Sequence, residues 1–209
     1  MKFAREGYPY MYFFAAVTAA ALFFLPAWVA VFPLILTLFM SYFFRDPDRT
    51  VPEGEGLLVA PADGKIIVLQ TVRESSFIND DVLQISIFMS PLNVHVNRAP
   101  CDGVVGKVVH SSGKFLSAFK PEASVQNENI AMTMKTGYGT ILVKQIAGFV
   151  ARRAVCRVTG GDVLKRGDRY GVIKFSSRVD IFLPISMVPK VRLGDKVTAG
   201  ETVLGYIPK

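Results

Sequence analysis

This sequence predicts a mainly β domain preceded by an N-terminal helical hairpin, and three observations carry that expectation. Residues 7–44 contain no charged side chain. Beyond residue 50, short runs rich in Val, Ile, Leu and Thr alternate with Gly, Pro, Asn and Asp, the rhythm of many brief strands joined by turns. In that second part only residues 113–124, with Phe115, Leu116 and Phe119 at helical spacing, read as a helix.

The uncharged run is nearly twice the ~20 residues that one membrane-spanning helix needs. Pro26 lies inside it in Leu25-Pro26-Ala27, where a missing backbone donor breaks a single helix. Two short apolar helices are therefore expected, near 8–25 and 27–44, with Pro33 placed to kink the second. Lys2, Arg5, Arg45 and Arg49 flank the run, and short basic flanks stay cytoplasmic, so the hairpin returns both ends to that side. A cleaved signal peptide fits less well, because its apolar region is shorter and no small-residue cleavage site precedes Arg45. The expected organisation is an anchor with its basic flank over 1–49 and a β-rich domain over 50–209. The expected location is the cell membrane, with the β domain on the cytoplasmic side.

Strands are expected at 57–59, 64–72, 82–88, 104–109, 130–135, 139–147, 154–158, 170–175, 178–183 and 203–207. Strands this short and closely spaced indicate a sandwich or barrel. The formal net charge of +7 makes a basic surface. On a tethered chain that surface is drawn to anionic lipid headgroups at about 1 kcal/mol per nearby cation. No groove-reading or base-stacking motif points to nucleic acid. Cys101 and Cys156 are far apart and lack metal or redox spacing, so both read as reduced, packed thiols, and no metal site is expected.

Two internal echoes refine the fold. Ala60-Pro61-Ala62-Asp63-Gly64 repeats as Ala99-Pro100-Cys101-Asp102-Gly103, and Gly161-Asp162-Val163-Leu164-Lys165-Arg166-Gly167 repeats as Gly194-Asp195-Lys196-Val197-Thr198-Ala199-Gly200. The second pair has the form of a tight turn that needs glycine twice. Together they resemble the duplicated elements of barrel-sandwich or hammerhead domains, the folds of lipoyl and biotinyl carriers.

The chemistry centres on Lys174-Phe175-Ser176-Ser177-Arg178-Val179-Asp180. By period-2 alternation Phe175, Ser177, Val179 and Ile181 share one strand face, and Lys174, Ser176, Arg178 and Asp180 the other. On periodicity alone Ser177 is a small polar residue on an apolar face. A serine hydroxyl attacks only when a base takes its proton and donors steady the oxyanion. The chain holds two histidines, His95 and His110. His95 interrupts a strand-forming run in Met89-Ser90-Pro91-Leu92-Asn93-Val94-His95-Val96-Asn97-Arg98, and reads either as a base or as a residue closing a strand end. His110 reads as a strand-end residue. Asp63 alone reads as a turn residue before Gly64.

Several blocks, in order, resemble the phosphatidylserine decarboxylases in their short bacterial and archaeal form. They are Val59-Ala60-Pro61-Ala62-Asp63-Gly64, the Phe88 to Arg98 block, Ile146-Ala147-Gly148-Phe149-Val150-Ala151-Arg152-Arg153, and Arg169 to Asp180 around the serine pair. With the anchor and the terminal Gly-rich turn, the resemblance covers essentially the whole chain. It implies a self-processing carboxy-lyase made as a proenzyme. Ser177 would attack the carbonyl of Ser176, and elimination and hydrolysis would leave a β chain of 1–176 and an α chain of 177–209 that stay associated. The α chain would begin with a pyruvoyl group made from Ser177, the cofactor, with no metal. Asp63 would orient a histidine base for the cut. The substrate would be phosphatidylserine or archaetidylserine, the product the ethanolamine phospholipid, and His95 would reprotonate the carbanion.

Two departures stand out. The family usually has Gly-Ser at the cut, whereas this chain has Ser176-Ser177, so a processing-impaired variant is a further reading. Longer members often carry a second histidine where Arg98 stands, which would leave His95 serving both self-cleavage and turnover. Phe115, Leu116 and Phe119, flanked by Lys114 and Lys120, read either as an interfacial segment dipping into the headgroup layer or as an amphipathic helix covering the sheet. Asn127 and Glu128 occupy a family Asn-Glu-Arg element that would sit over the substrate, or form a polar turn. Arg152 and Arg153 suit phosphate recognition or are surface charges on opposite strand faces. A competing class is a membrane-tethered carrier or adaptor without catalysis, with Lys196 as a nominal modification point. The expected partners are the phospholipid and the membrane, with a homo-oligomer possible in principle and no nucleic acid.

Overall fold

Between residues 7 and 44 the chain can satisfy its backbone polar groups only within itself, and it does so as helices. The computed structural model describes residues 2–117, 119, 122–148, 154–174 and 177–208. They divide into two units, Met1–Asp48 and Arg49–Lys209. In the first, strands β1 (Lys2–Phe3) and β2 (Arg45–Asp46) pair antiparallel at the base of a hairpin of α1 (Tyr8–Phe24) and α2 (Val31–Phe43). Leu25 turns extended (φ −130°, ψ 164°) ahead of Pro26 and ends α1, as a residue before proline tends to do. Pro33 lies in the first turn of α2, where no N–H is needed, so α2 runs through it and the expected kink has no cause.

The Thr18 and Thr37 hydroxyls meet 3.3 Å apart between the helices, and each also lies within hydrogen-bond reach of a carbonyl one turn back in its own helix. Phe13, Phe23, Phe24, Trp28 and Phe32 point outward and are largely exposed. The span Arg5–Phe24 is long and apolar enough to cross a membrane, and Ala27–Phe43 is a shorter apolar helix. This is a membrane-associating element.

In the second unit the strands are β3 (Leu57–Val59), β4 (Gly64–Glu74), β5 (Asp80–Met89), β6 (Val96–Arg98), β7 (Gly103–Ser111), β8 (Asn129–Thr136), β9 (Gly139–Ala147), β10 (Ala154–Cys156), β11 (Val163–Leu164), β12 (Arg169–Ile173), β13 (Ser177–Pro184), β14 (Val188–Pro189), β15 (Lys196–Val197) and β16 (Val203–Tyr206), with one short helix, α3 (Ala123–Gln126). Eight form a curled sheet in the order β11-β7-β8-β9-β13-β5-β4-β15. Two three-stranded sheets, β10-β12-β6 and β14-β16-β3, complete the unit. The class is mainly β, as expected.

The alternation read around Ser177 holds for the described residues. Val179, Ile181 and Leu183 of β13 face inward with Ile85 and Ile87 of β5 and Ile141 and Val143 of β9, all with 0–1% exposure. Each such buried aliphatic contributes about 1.5–3 kcal/mol, so the two strands flanking β13 grip it through side chains as well as hydrogen bonds.

The echoes prove to be one pseudo-symmetric device. Leu164 pairs with Gly103, and its counterpart Val197 pairs with Gly64. The Gly161 amide donates to Val105 and the Gly194 amide to Ile66; the Gly167 amide donates to Ala99 and the Gly200 amide to Ala60. All four glycines sit at positive φ, 96° and 94° for the leading pair and 86° and 76° for the closing pair, which β-carbon-bearing residues resist. Asp102 accepts from the Arg166 amide at 2.7 Å and Asp63 from the Ala199 amide at 2.8 Å. Each half thus caps the turn of the other.

The helix expected over 113–124 is corrected: among the described residues only the α3 turn is helical, and residues 113–117 lie outside any helix, with Lys114 bridged to Asn127. The cause is tertiary: Lys114 exchanges backbone hydrogen bonds with Gln126 and Glu128, and the Asn127 side chain takes both the N–H and the C=O of Leu116. Helical spacing cannot compete with backbone groups already paired across the loop.

Candidate active site

Ser177 opens β13 at the centre of the large sheet, directly opposite Met89 on one side and Ala147 on the other, with 0% exposure. Its hydroxyl donates to the Met89 thioether at 3.3 Å. Sulfur is a weak acceptor, so this contact holds the hydroxyl in place without activating it. Asn97 directs its amide at the same sulfur from 3.8 Å, and its Oδ1 receives the Gln145 amide at 2.8 Å. Met89, Asn97 and Gln145 therefore form a buried polar lining behind Ser177 that the sequence reading missed. Its one signal was a Gln and an Asn at inward positions of otherwise apolar strands.

His95 is fully buried. Its Nδ1 lies 3.0 Å from the Asn93 carbonyl, an acceptor only, so Nδ1 is the donor in this contact. The His95 carbonyl accepts from the Ile173 amide, 3.2 Å, and β6 pairs with β12 just beyond. The histidine segment and the segment leading to Ser177 are thus stitched together.

The Asp63 carboxylate is chelated by Arg49 at 2.9 and 3.1 Å and accepts from the Ala199 amide at 2.8 Å. Arg49 also reaches Glu201 at 3.4 Å, so this basic flank residue is built into the second unit rather than left to the anchor. Arg98 is 5% exposed and donates to the Gly167 carbonyl at 2.9 Å, bracing the other echo turn.

Asn127 is 1% exposed, with its amide divided among Leu116 and Ala147, so it staples the 113–128 excursion to the residue opposite Ser177. Glu128 faces His110 at 3.3 Å. Phe115 packs against the core, Leu116 is half-buried, and Phe119 is 63% exposed with its ring edge-on to Phe88. Ser176, Arg152 and Arg153 lie outside the described residues. On the outer face of β13, Arg178 pairs with Asp180 and donates to Ser86 at 2.8 Å, while Ser124 and Gln84 also donate to Asp180. This buried network links the α3 turn to the strand that begins at Ser177.

The phosphatidylserine decarboxylase family model matches residues 36–205. The chain is 48% identical to the phosphatidylserine decarboxylase proenzyme of Syntrophus aciditrophicus, covering 97% of this chain and 96% of that one. The proenzyme of Desulfotalea psychrophila is 44% identical, with 98% and 96% covered. That of Chlorobaculum tepidum is 49% identical over 80% of this chain and 77% of its own. The chain belongs to the phosphatidylserine decarboxylase family. It is a carboxy-lyase. Within the family frame, Ser177 presents a buried hydroxyl at a strand end and His95 a buried imidazole whose Nδ1 faces the Asn93 carbonyl.

Proposed function

We propose that this protein decarboxylates phosphatidylserine, or its archaeal ether-lipid analogue, after cutting itself before Ser177. The observation that carries the reading is the position of Ser177 as first residue of a central strand gripped on both sides. A cut there leaves 177–209 held by the ladders to β5 and β9, so a nicked product stays assembled as two associated chains.

In the cut, the Ser177 Oγ leaves Met89 and attacks the Ser176 carbonyl, and His95 takes up its proton. The amide nitrogen departs as the peptide becomes an ester, and elimination then releases the 1–176 chain as a carboxylate. Hydrolysis of the resulting enamine frees ammonia. The site fits the pyruvoyl group that results: the position is buried and lined by Met89 and Asn97 rather than by charge. When formed, that group supplies an electron sink for the bond that breaks as carbon dioxide leaves. The chain's own work is to exclude water, orient the substrate, and return a proton from His95.

Asp63 serves here by fixing the loop that joins β3 to β4, through Arg49 and the Ala199 turn. Phe119 and Phe88 offer an apolar approach for the lipid. Basic flanks at the hairpin ends favour a cytoplasmic location. The carrier alternative is disfavoured by Lys196, which lies within a paired strand rather than at a hairpin tip.

An intact-mass spectrum and a denaturing gel of the full-length protein in neutral detergent test the reading. Two chains, the smaller with a blocked keto terminus, together with CO2 release from phosphatidylserine are expected. A single uncut polypeptide that releases no CO2 would overturn it.

A further inference from the structure

At one edge of the large sheet β15 pairs with β4 so that Lys196 lies directly opposite Lys65, and Lys65 lies opposite Phe88 of β5. Both lysines are exposed, and among the described residues neither makes an ion pair. Like charges directly opposed across a ladder destabilise it unless an anion sits between them. The nearby carboxylates are already engaged: Asp63 is chelated by Arg49, and Asp195 caps the Arg192 amide at 2.8 Å.

The pair lines a cavity of about 470 Å³ with Asp63, Phe88, Ser90, Asn93 and Thr198. Phe88 and Ser90 flank Met89, the residue opposite Ser177, and the Asn93 carbonyl fixes the His95 ring. The cavity therefore holds two lysines that make no ion pair among the described residues, beside an Asp63 already chelated by Arg49, and it adjoins Asn93, whose carbonyl faces the His95 ring, with the Phe88–Phe119 ring pair on its apolar side.

We propose that this cavity is the phosphodiester subsite, with the Lys65 and Lys196 ammonium groups donating to the non-bridging phosphate oxygens of the phospholipid. The inference rests on the decarboxylase reading above. Two compact, flexible cations suit a singly charged phosphodiester, whose bound form relieves the repulsion between them. The headgroup then extends along the end of β5 toward Ser177, and the tails leave past Phe119.

The test uses the full chain in mixed micelles of neutral detergent with phosphatidylserine as the only charged lipid. K65Q and K196Q are each expected to raise KM about three- to fivefold, and the double variant more than tenfold, with kcat within about twofold. K65R/K196R should restore the wild-type KM. A gel showing both chains in every variant separates binding from processing. Inorganic phosphate should compete weakly in the wild type and not in the double variant.

An unchanged KM in the double variant overturns the proposal. So does an effect seen only on phosphatidylglycerol vesicles and absent in neutral micelles, which would make the lysines general surface attractors. Sub-millimolar inhibition by inorganic phosphate would instead mark a site for free phosphate. If the wild type itself releases no CO2, the decarboxylase reading fails and this subsite falls with it.

Discussion

The Ser177 hydroxyl rests on the Met89 thioether, 3.3 Å away, at the point where β13 begins beside β5. The nucleophile is therefore held by a group that cannot take its proton, and cutting requires the hydroxyl to turn from sulfur toward a base.

Met89→Leu removes that acceptor while nearly conserving volume, which costs less than about 1.5 kcal/mol. Self-cleavage is expected to persist and to run faster than in the wild type, because the resting hydrogen bond is gone. A time course of chain separation after cell-free synthesis reads the rate. Loss of cleavage in a folded Met89→Leu protein would show that the sulfur aligns the attack.

Asp63 and Asp102 occupy equivalent places in the two halves, but among the described residues Asp63 alone of the two also pairs with an arginine side chain. Asp63→Asn should lower unfolding free energy by about 2–3 kcal/mol, since its hydrogen bonds are charge-assisted, and Asp102→Asn by about 1 kcal/mol. Urea titrations check the order. If Asp63→Asn stays folded yet never processes, Asp63 acts on the cut itself and not only on the loop.

Glu74 is 6% exposed and accepts from the Ser76, Phe77 and Ile78 amides at 2.8–3.1 Å. Burial pushes its carboxyl up, but those amides and Lys144 outweigh it, and the net direction is down from the ordinary 4.5. A depressed folded value means a contribution that is complete above 4.5 and fades as pH falls through the lower folded value. Glu74→Gln should thus be less stable by about 1–3 kcal/mol at neutral pH, with the gap closing below pH 4.5. Thermal melts of both proteins across that range give the comparison.

Burial pushes the Cys101 thiol up to about 12, with Asp102 adding to it, and burial raises Cys156 as well. Thiolate is the reactive form, so at pH 8 the native protein should label with iodoacetamide far more slowly than the unfolded chain, which should react at both cysteines. Rapid native labelling at Cys101 would contradict the packing around it.

Ten strands were legible from local pattern, because alternation and turn residues act within a few positions. The strands not foreseen, among them β6, β11 and β15, are two or three residues long and exist only through partners far along the chain. The 113–124 helix failed for the same reason in reverse: Asn127 and Glu128 draw its backbone into non-local pairs.

The candidate site divides in the same way. Ser177 and His95 stood out in the sequence through the family's blocks, and the echoes announced a duplication. Sequence alone determined the uncharged hairpin, the strand rhythm and the family, since each depends on residue type at fixed spacing. Only the tertiary structure decided that Asp63 answers to Arg49, that Asn127 ties a loop, and that Lys65 meets Lys196. Those are encounters between residues 14, 11 and 131 positions apart or joined through backbone atoms of a third segment, and no local pattern encodes them.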